Sequence, residues 1–125
     1  MNPCVLLIED NEANRYLATF LLRQMGCTVE HAANGRDGLV LAERLHPALI
    51  VLDIQMPEMD GYEVATRLRA EPTTAKIPIL VVTSYAMSGD RERAMALGVD
   101  DYLEKPFAPD EFTTRVRRLL TPPAP

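Results

Sequence analysis

The sequence predicts an α/β domain built on a parallel sheet with helices on both faces. Three observations predict it. Unbroken apolar runs occur at Cys4-Val5-Leu6-Leu7-Ile8, Ala48-Leu49-Ile50-Val51-Leu52 and Ile79 to Val82, the pattern of central strands buried on both faces. Segments with apolar residues at helical spacing follow them. The strand–helix unit recurs five times along the chain, which implies parallel strands joined by right-handed crossovers.

The elements follow in order. After the first run, Asn11 to Met25 carries Leu17, Phe20, Leu21 and Met25 at helical spacing, and Gly26 stops the helix. Thr28 to Ala32 is a weaker strand, and Asn34-Gly35 is a turn. Arg36 to His46 places Leu39, Ala42 and Leu45 on one helical face and ends before Pro47. The second run closes on Asp53, and a loop rich in Pro, Met and Gly leads to a helix over Gly61 to Ala70 with Val64 and Leu68 one turn apart. Pro72-Thr73-Thr74 opens a polar loop before the third run, which closes on Thr83. Asp90 to Leu97 is a short helix stopped by Gly98, and Asp101 to Glu104 is a short last strand. Pro109 to Leu120 is the final helix, with Pro109 in its first turn and Phe112, Val116 and Leu119 inward.

Five strands in one small domain suit the flavodoxin-like (βα)5 doubly wound arrangement with strand order 2-1-3-4-5. The 125 residues are expected to form one domain over residues 1–121, followed by a Pro-rich tail or linker stub at 122–125. A net charge of -5 argues against a duplex nucleic-acid binder, which shows a basic stripe. Cys4 and Cys27 lack disulfide-framework or metal-ligand spacing and read as small apolar residues in a reduced compartment. No leader peptide is visible at Met1-Asn2-Pro3, and no apolar stretch approaches the roughly 18 residues that span a bilayer. The expected location is the cytoplasm, with no membrane partner.

In open α/β sheets the site lies beyond the carboxyl ends of the strands. Glu9-Asp10, Asp53, Thr83-Ser84 and Lys105-Pro106 close the first, third, fourth and fifth strands and so share one rim. Three neighbouring carboxylates repel unless a cation sits among them, and a hard divalent ion with oxygen ligands meets that need. Lys105 supplies positive charge on the far side. An oxygen of Asp53 is then flanked by positive charge, and an arriving phosphoryl group would be neutralised by the metal, Lys105 and the Thr83 hydroxyl. Phosphoryl transfer works in this way, by positioning and electrostatics.

Leu7-Ile8-Glu9-Asp10-Asn11, Asp53-Ile54-Gln55-Met56-Pro57-Glu58-Met59-Asp60-Gly61, Val82-Thr83-Ser84 and Asp101-Tyr102-Leu103-Glu104-Lys105-Pro106-Phe107 resemble the signature blocks of the response-regulator receiver family. They stand in the family's order and cover about residues 4–121. The resemblance is to chemotaxis-regulator-like receivers, with a single-domain form expected. It implies a signalling switch in place of a metabolic enzyme, one that catalyses its own phosphorylation and dephosphorylation. Asp53 would be the phosphoryl acceptor, with Mg2+ (or Mn2+) on Glu9, Asp10, Asp53 and the backbone carbonyl of Gln55. Thr83 and Lys105 would contact the phosphoryl group, and Thr83 and Tyr102 would form the switch, the ring swinging inward as Thr83 moves. The Lys105–Pro106 bond is expected to be cis. A histidine kinase or histidine phosphotransfer protein would supply the phosphoryl group. A downstream protein would read the face made by helix 4, strand 5 and helix 5, with no direct nucleic-acid contact. The stretch from Thr83 to Asp90 resembles receivers that stand alone or belong to hybrid kinases. The Met1 start and the end soon after the fifth helix favour the stand-alone form, with a linker beginning at Pro122 as the alternative.

Other functions fit less well. A flavin or nucleotide binder needs a small-residue loop after the first strand to cradle phosphate, where this chain has Glu9-Asp10. An Asp-nucleophile phosphohydrolase of the haloacid-dehalogenase type wants a second Asp two residues on, where this chain has Gln55. An EF-hand counted from Asp53 needs Gly where Glu58 stands. His31 and His46 read as surface residues, Met56 and Met59 as packing, and Arg115, Arg117 and Arg118 as a solvated face at a helix C-terminus.

Overall fold

A computed structural model describes residues 2–84 and 88–121. Strands β1 (Cys4–Ile8), β2 (Thr28–Ala32), β3 (Leu49–Leu52), β4 (Ile79–Thr83) and β5 (Asp101–Glu104) form a parallel sheet in the order β2-β1-β3-β4-β5. Helices α1 (Glu12–Gln24), α2 (Gly35–Leu45), α3 (Gly61–Ala70), α4 (Asp90–Ala96) and α5 (Pro109–Leu120) alternate with the strands. The expected flavodoxin-like architecture is therefore present. Residues 85–87 and the 122–125 tail lie outside the described residues.

The period of two along each strand divides the core into two layers. Leu6, Ile8, Ile50, Leu52, Ile79 and Val81 pack on Ala42 of α2, Val64 and Leu68 of α3 and Ala94 of α4. Val5, Leu7, Leu49, Val51, Leu80 and Val82 pack on Leu21 and Leu22 of α1 and on Phe112 and Val116 of α5. Because β1, β3 and β4 are covered on both faces, they carry no polar side chain before their closing residues. Phe112 is fully buried and its ring stacks on Phe107 at 5.3 Å between centroids. Phe112→Ala is expected to cost about 3–5 kcal/mol of stability, read by urea denaturation; a loss below about 1 kcal/mol would mean that the α5 layer does not depend on this ring.

Side-chain caps set the helix starts. Asn11, Asn34 and Asp60 accept hydrogen bonds from the backbone N–H of Asn14, Asp37 and Glu63. At α5, Pro109 occupies the first turn and Glu111 accepts from the Ala108 N–H at 3.0 Å.

Three readings change. In α1 the buried residues are Ala18, Leu21 and Leu22, while Leu17 and Phe20 are 46% and 51% exposed. The apolar stripe of α1 is wider than the sheet it covers, so its outer edge remains in solvent beside Tyr16. Arg115 is not part of a solvated face: its guanidinium donates to Asp101 Oδ1 at 2.7 Å and to the Tyr102 carbonyl at 3.2 Å, tying α5 to β5. Arg117 and Arg118 are exposed as expected. In the loop after α3, Thr74 is buried and its hydroxyl donates to the Leu68 carbonyl at 2.7 Å.

At the rim where β4 begins, Arg69 of α3 acts as a multiple donor. It hydrogen-bonds the carbonyls of Ala75, Ile77 and Gly98 and the carboxylate of Asp100. Asp100 in turn accepts from the Ile79 N–H at 2.8 Å. The planar guanidinium, with its five donors, suits this role where lysine would not. Among the described residues no helix is long and apolar enough to cross a membrane.

Candidate functional site

The ladder carries each site residue to the opposite rim. Ile8 and Leu52 are register partners in adjacent strands, so Glu9 and Asp53 leave the sheet side by side. Backbone bonds from Asp53 N–H to the Ile8 carbonyl and from Glu9 N–H to the Ala32 carbonyl, each 3.0 Å, extend the pairing by one residue. Thr83 ends β4 opposite Glu104, and its carbonyl accepts from the Lys105 N–H at 2.8 Å. The Lys105–Pro106 peptide is cis.

The predicted residues converge. Carboxylate oxygens of Glu9, Asp10 and Asp53 lie within 4.8 Å of one another. Glu9 and Asp53 are buried and Asp10 is exposed, so the cluster opens to solvent on the Asp10 side. Lys105 reaches it from β5: its Nζ donates to Glu9 Oε1 at 2.5 Å, although 96 residues separate the two in sequence. Asp53 Oδ1 accepts from the Gln55 N–H at 3.3 Å. A cavity of about 440 Å³ opens beside Asp53 and Lys105, with Leu7, Val51 and Phe112 among its apolar walls and Leu17 at its edge.

Electrostatics separate the two buried carboxylates. Burial, the Glu9 charge and a hydrogen bond shared with Glu9 push Asp53 up to about 7, against the pull of Lys105 and the Gln55 N–H. Burial alone would raise Glu9 as well, but the Lys105 hydrogen bond and charge outweigh it and hold Glu9 below the usual carboxylate range. Lys105 thus neutralises Glu9, while Asp53 holds its proton into the neutral range. A hard divalent cation fits this donor set: three convergent carboxylates, one of them open to water, with oxygen atoms only.

Two buried hydroxyls, Thr83 Oγ1 and Tyr102 Oη, have no hydrogen-bond partner among the described residues. Leaving such groups unmatched costs about 1–3 kcal/mol each. Tyr102 is only 3% exposed, so its ring is buried. His31 and His46 are exposed, Met56 is buried, and Met59 packs on the core. Sequence reading missed Tyr62. It follows Gly61 directly, is buried, and donates from its hydroxyl to Asp90 Oδ1 at 2.7 Å. Only an aromatic immediately after the Asp60-Gly61 pair signalled it.

Comparison with known proteins agrees with this geometry. The response regulator receiver domain family matches residues 5–117. The chain is 41% identical over 118 residues to the DNA-binding dual master transcriptional regulator RpaA of Synechocystis, covering 94% of this chain and 49% of that protein. It thus spans about half the length of that relative. It is 36% identical over 120 residues to the polar-differentiation response regulator DivK of Brucella ovis, covering 96% of this chain and 98% of DivK. Among solved structures it resembles the receiver domain of the sensor histidine kinase PA1611 from Pseudomonas aeruginosa, which holds a magnesium ion in its active-site cleft. The TM-score is 0.88 and the identity 33%, over 96% of this chain and 98% of that one. The sheet order, the acidic cluster at its rim and these matches together establish that the chain belongs to the response regulator receiver domain family of two-component signalling.

Proposed function

We propose that this receiver takes a phosphoryl group on Asp53, with a divalent metal, and passes the signal on through a changed protein-binding face. The observation that carries the proposal is the convergence of Glu9, Asp10 and Asp53 on one rim with Lys105 drawn in among them. Glu9, Asp10, Asp53 and the Gln55 carbonyl would hold Mg2+ or Mn2+. When bound, the metal supplies positive charge to the phosphoryl oxygens and screens the carboxylates from one another.

The chain's own residues do the rest. Asp53 must be ionised to attack phosphorus, and its proximity to Glu9 disfavours the charged form until positive charge enters the cluster. An ionised Asp53 oxygen forms the new bond to phosphorus as the bond to the donor's leaving group breaks. Lys105, already drawn into the cluster, neutralises a phosphoryl oxygen. Thr83 has a buried hydroxyl that lacks a partner among the described residues, and a phosphoryl oxygen would satisfy it. The added charge of about -1.5 to -2 then draws Thr83 inward and favours the buried Tyr102 ring. Both ring positions belong to one equilibrium that the phosphoryl group biases.

The donor would be a histidine kinase or histidine phosphotransfer protein, and the output a protein that reads the α4–β5–α5 face. The receiver would also catalyse loss of its own phosphoryl group to water. These partners place the chain in the cytoplasm, and neither membrane nor nucleic acid enters the reading.

Magnesium titration, followed by NMR at the residues flanking Asp53, tests the cage. Asp10→Ala removes one carboxylate and should lower magnesium affinity at least tenfold, with phosphorylation by acetyl phosphate falling in parallel. An unchanged titration in Asp10→Ala would place the metal elsewhere.

A further inference from the structure

We infer that Tyr62 is a positioning residue that fastens α4 to the acceptor loop, giving Asp53 a second connection to α4 that does not pass through Thr83. The inference rests on the phosphoryl-switch reading for its purpose, though not for its geometry. Two contacts define the fastening. The Tyr62 hydroxyl donates to Asp90 Oδ1 at 2.7 Å, at the first residue of α4. One turn on, the Arg93 guanidinium carbon lies 3.8 Å over the centre of the Tyr62 ring. One side chain of α3 thus holds α4 by its edge and its face at once. A carboxylate at the start of a helix and a cation over an aromatic face are each favourable by themselves, and here both converge on one ring.

The other end of the connection is stiff. Gly61 N–H donates to the Ile54 carbonyl at 2.8 Å. Gly61 packs so closely that a Cβ there would lie 2.5 Å from the Asp53 carbonyl oxygen. Tyr62 therefore keeps a fixed place relative to the Asp53 backbone. Its ring shares a core layer with Ala94 of α4 and with the buried ring of Tyr102. The fastening thus belongs to the state in which Tyr102 is buried, and breaking it favours the other state.

Tyr62→Phe deletes the hydroxyl and keeps the ring, and Arg93→Met keeps the stem and deletes the cation. Amide hydrogen exchange by NMR, without any phosphoryl mimic, should speed up about tenfold at residues 93–97 in Tyr62→Phe and about threefold in Arg93→Met. The amides of α1 and α5 should be unchanged. Titration with beryllofluoride and magnesium should need several-fold more mimic to saturate either variant, because less of the receptive state is populated beforehand. Adding Tyr62→Phe to Thr83→Ala should weaken saturation further, by about the same factor as in wild type.

Unchanged exchange in α4, or acceleration spread equally over α1 and α5, would overturn the fastening. Absence of any further effect in the Thr83→Ala background would overturn the second route. A wild-type protein that ignores beryllofluoride would instead defeat the phosphoryl-acceptor reading, and the exchange comparison would still judge Tyr62.

Discussion

Asp53→Asn is expected to take no phosphoryl group and to be more stable than the wild type at pH 8. The first effect is loss of the nucleophile. With acetyl phosphate and magnesium, mass spectrometry should find one phosphate on the wild type and none on the variant. Robust labelling of the Asn protein would move the acceptor to another residue. The second effect follows from the site's electrostatics. Asp53 is raised to about 7 by burial and by Glu9, whereas an aspartate in an unfolded chain titrates near 3.9. Between roughly pH 4 and pH 7 the folded protein holds a proton that the unfolded chain has released, so this group's contribution to stability declines as pH rises through that window. Above it, the wild type carries a charged Asp53 against Glu9 and the variant carries a neutral amide of the same shape. Urea denaturation without divalent metal should therefore favour Asp53→Asn by about 1–2 kcal/mol at pH 8, and by much less at pH 5. A larger gap at pH 5 than at pH 8 would contradict the raised aspartate.

Gly61→Ala is expected to damage fold and site together. A Cβ at this position would meet the Asp53 carbonyl oxygen at 2.5 Å and the Ile54 Cα at 2.6 Å. Both are backbone atoms, so no rotamer change relieves the contact, and either α3 or the Asp53 loop must shift. Overpacking of this kind costs about 2–3 kcal/mol. Because the displaced backbone carries Asp53 and the Gln55 N–H that hydrogen-bonds it, magnesium affinity should fall along with the denaturation midpoint. Leu22→Ala is the control, since it lowers stability from the other core layer without lining the cavity beside Asp53. If Gly61→Ala keeps wild-type stability and magnesium affinity, the close approach of α3 to the acceptor loop is wrong.

Strand placement was legible because β1, β3 and β4 are buried on both faces and read as unbroken apolar runs. The site was legible for the same reason. Once the strands are parallel, their closing residues share a rim, which is how Glu9 and Lys105 could be placed together. The face of α1 was not legible. Tyr16, Leu17, Ala18, Phe20, Leu21 and Leu22 span more of the helix than the sheet covers, so periodicity alone does not fix which edge is buried. Arg115 was misread because composition shows a cluster of like charges and not the Asp101 carboxylate that folding brings beside one of them. Tyr62 was missed because its partner Asp90 stands 28 residues further on, in a different strand–helix unit.

The Arg69 clamp has a mechanical consequence. Its bond to the Gly98 carbonyl, 2.9 Å long, catches the chain just past the C-terminal end of α4 and ties it to α3 and to the start of β4. α4 is therefore anchored at the end remote from Asp53. Held at its start by Tyr62 and past its end by Arg69, the short helix cannot slide, and it can swing only when the Tyr62 contacts break. Any displacement that begins near Thr83 is then largest at Asp90 and fades towards Leu97. The helix acts as a pointer whose tip, not its root, carries the message.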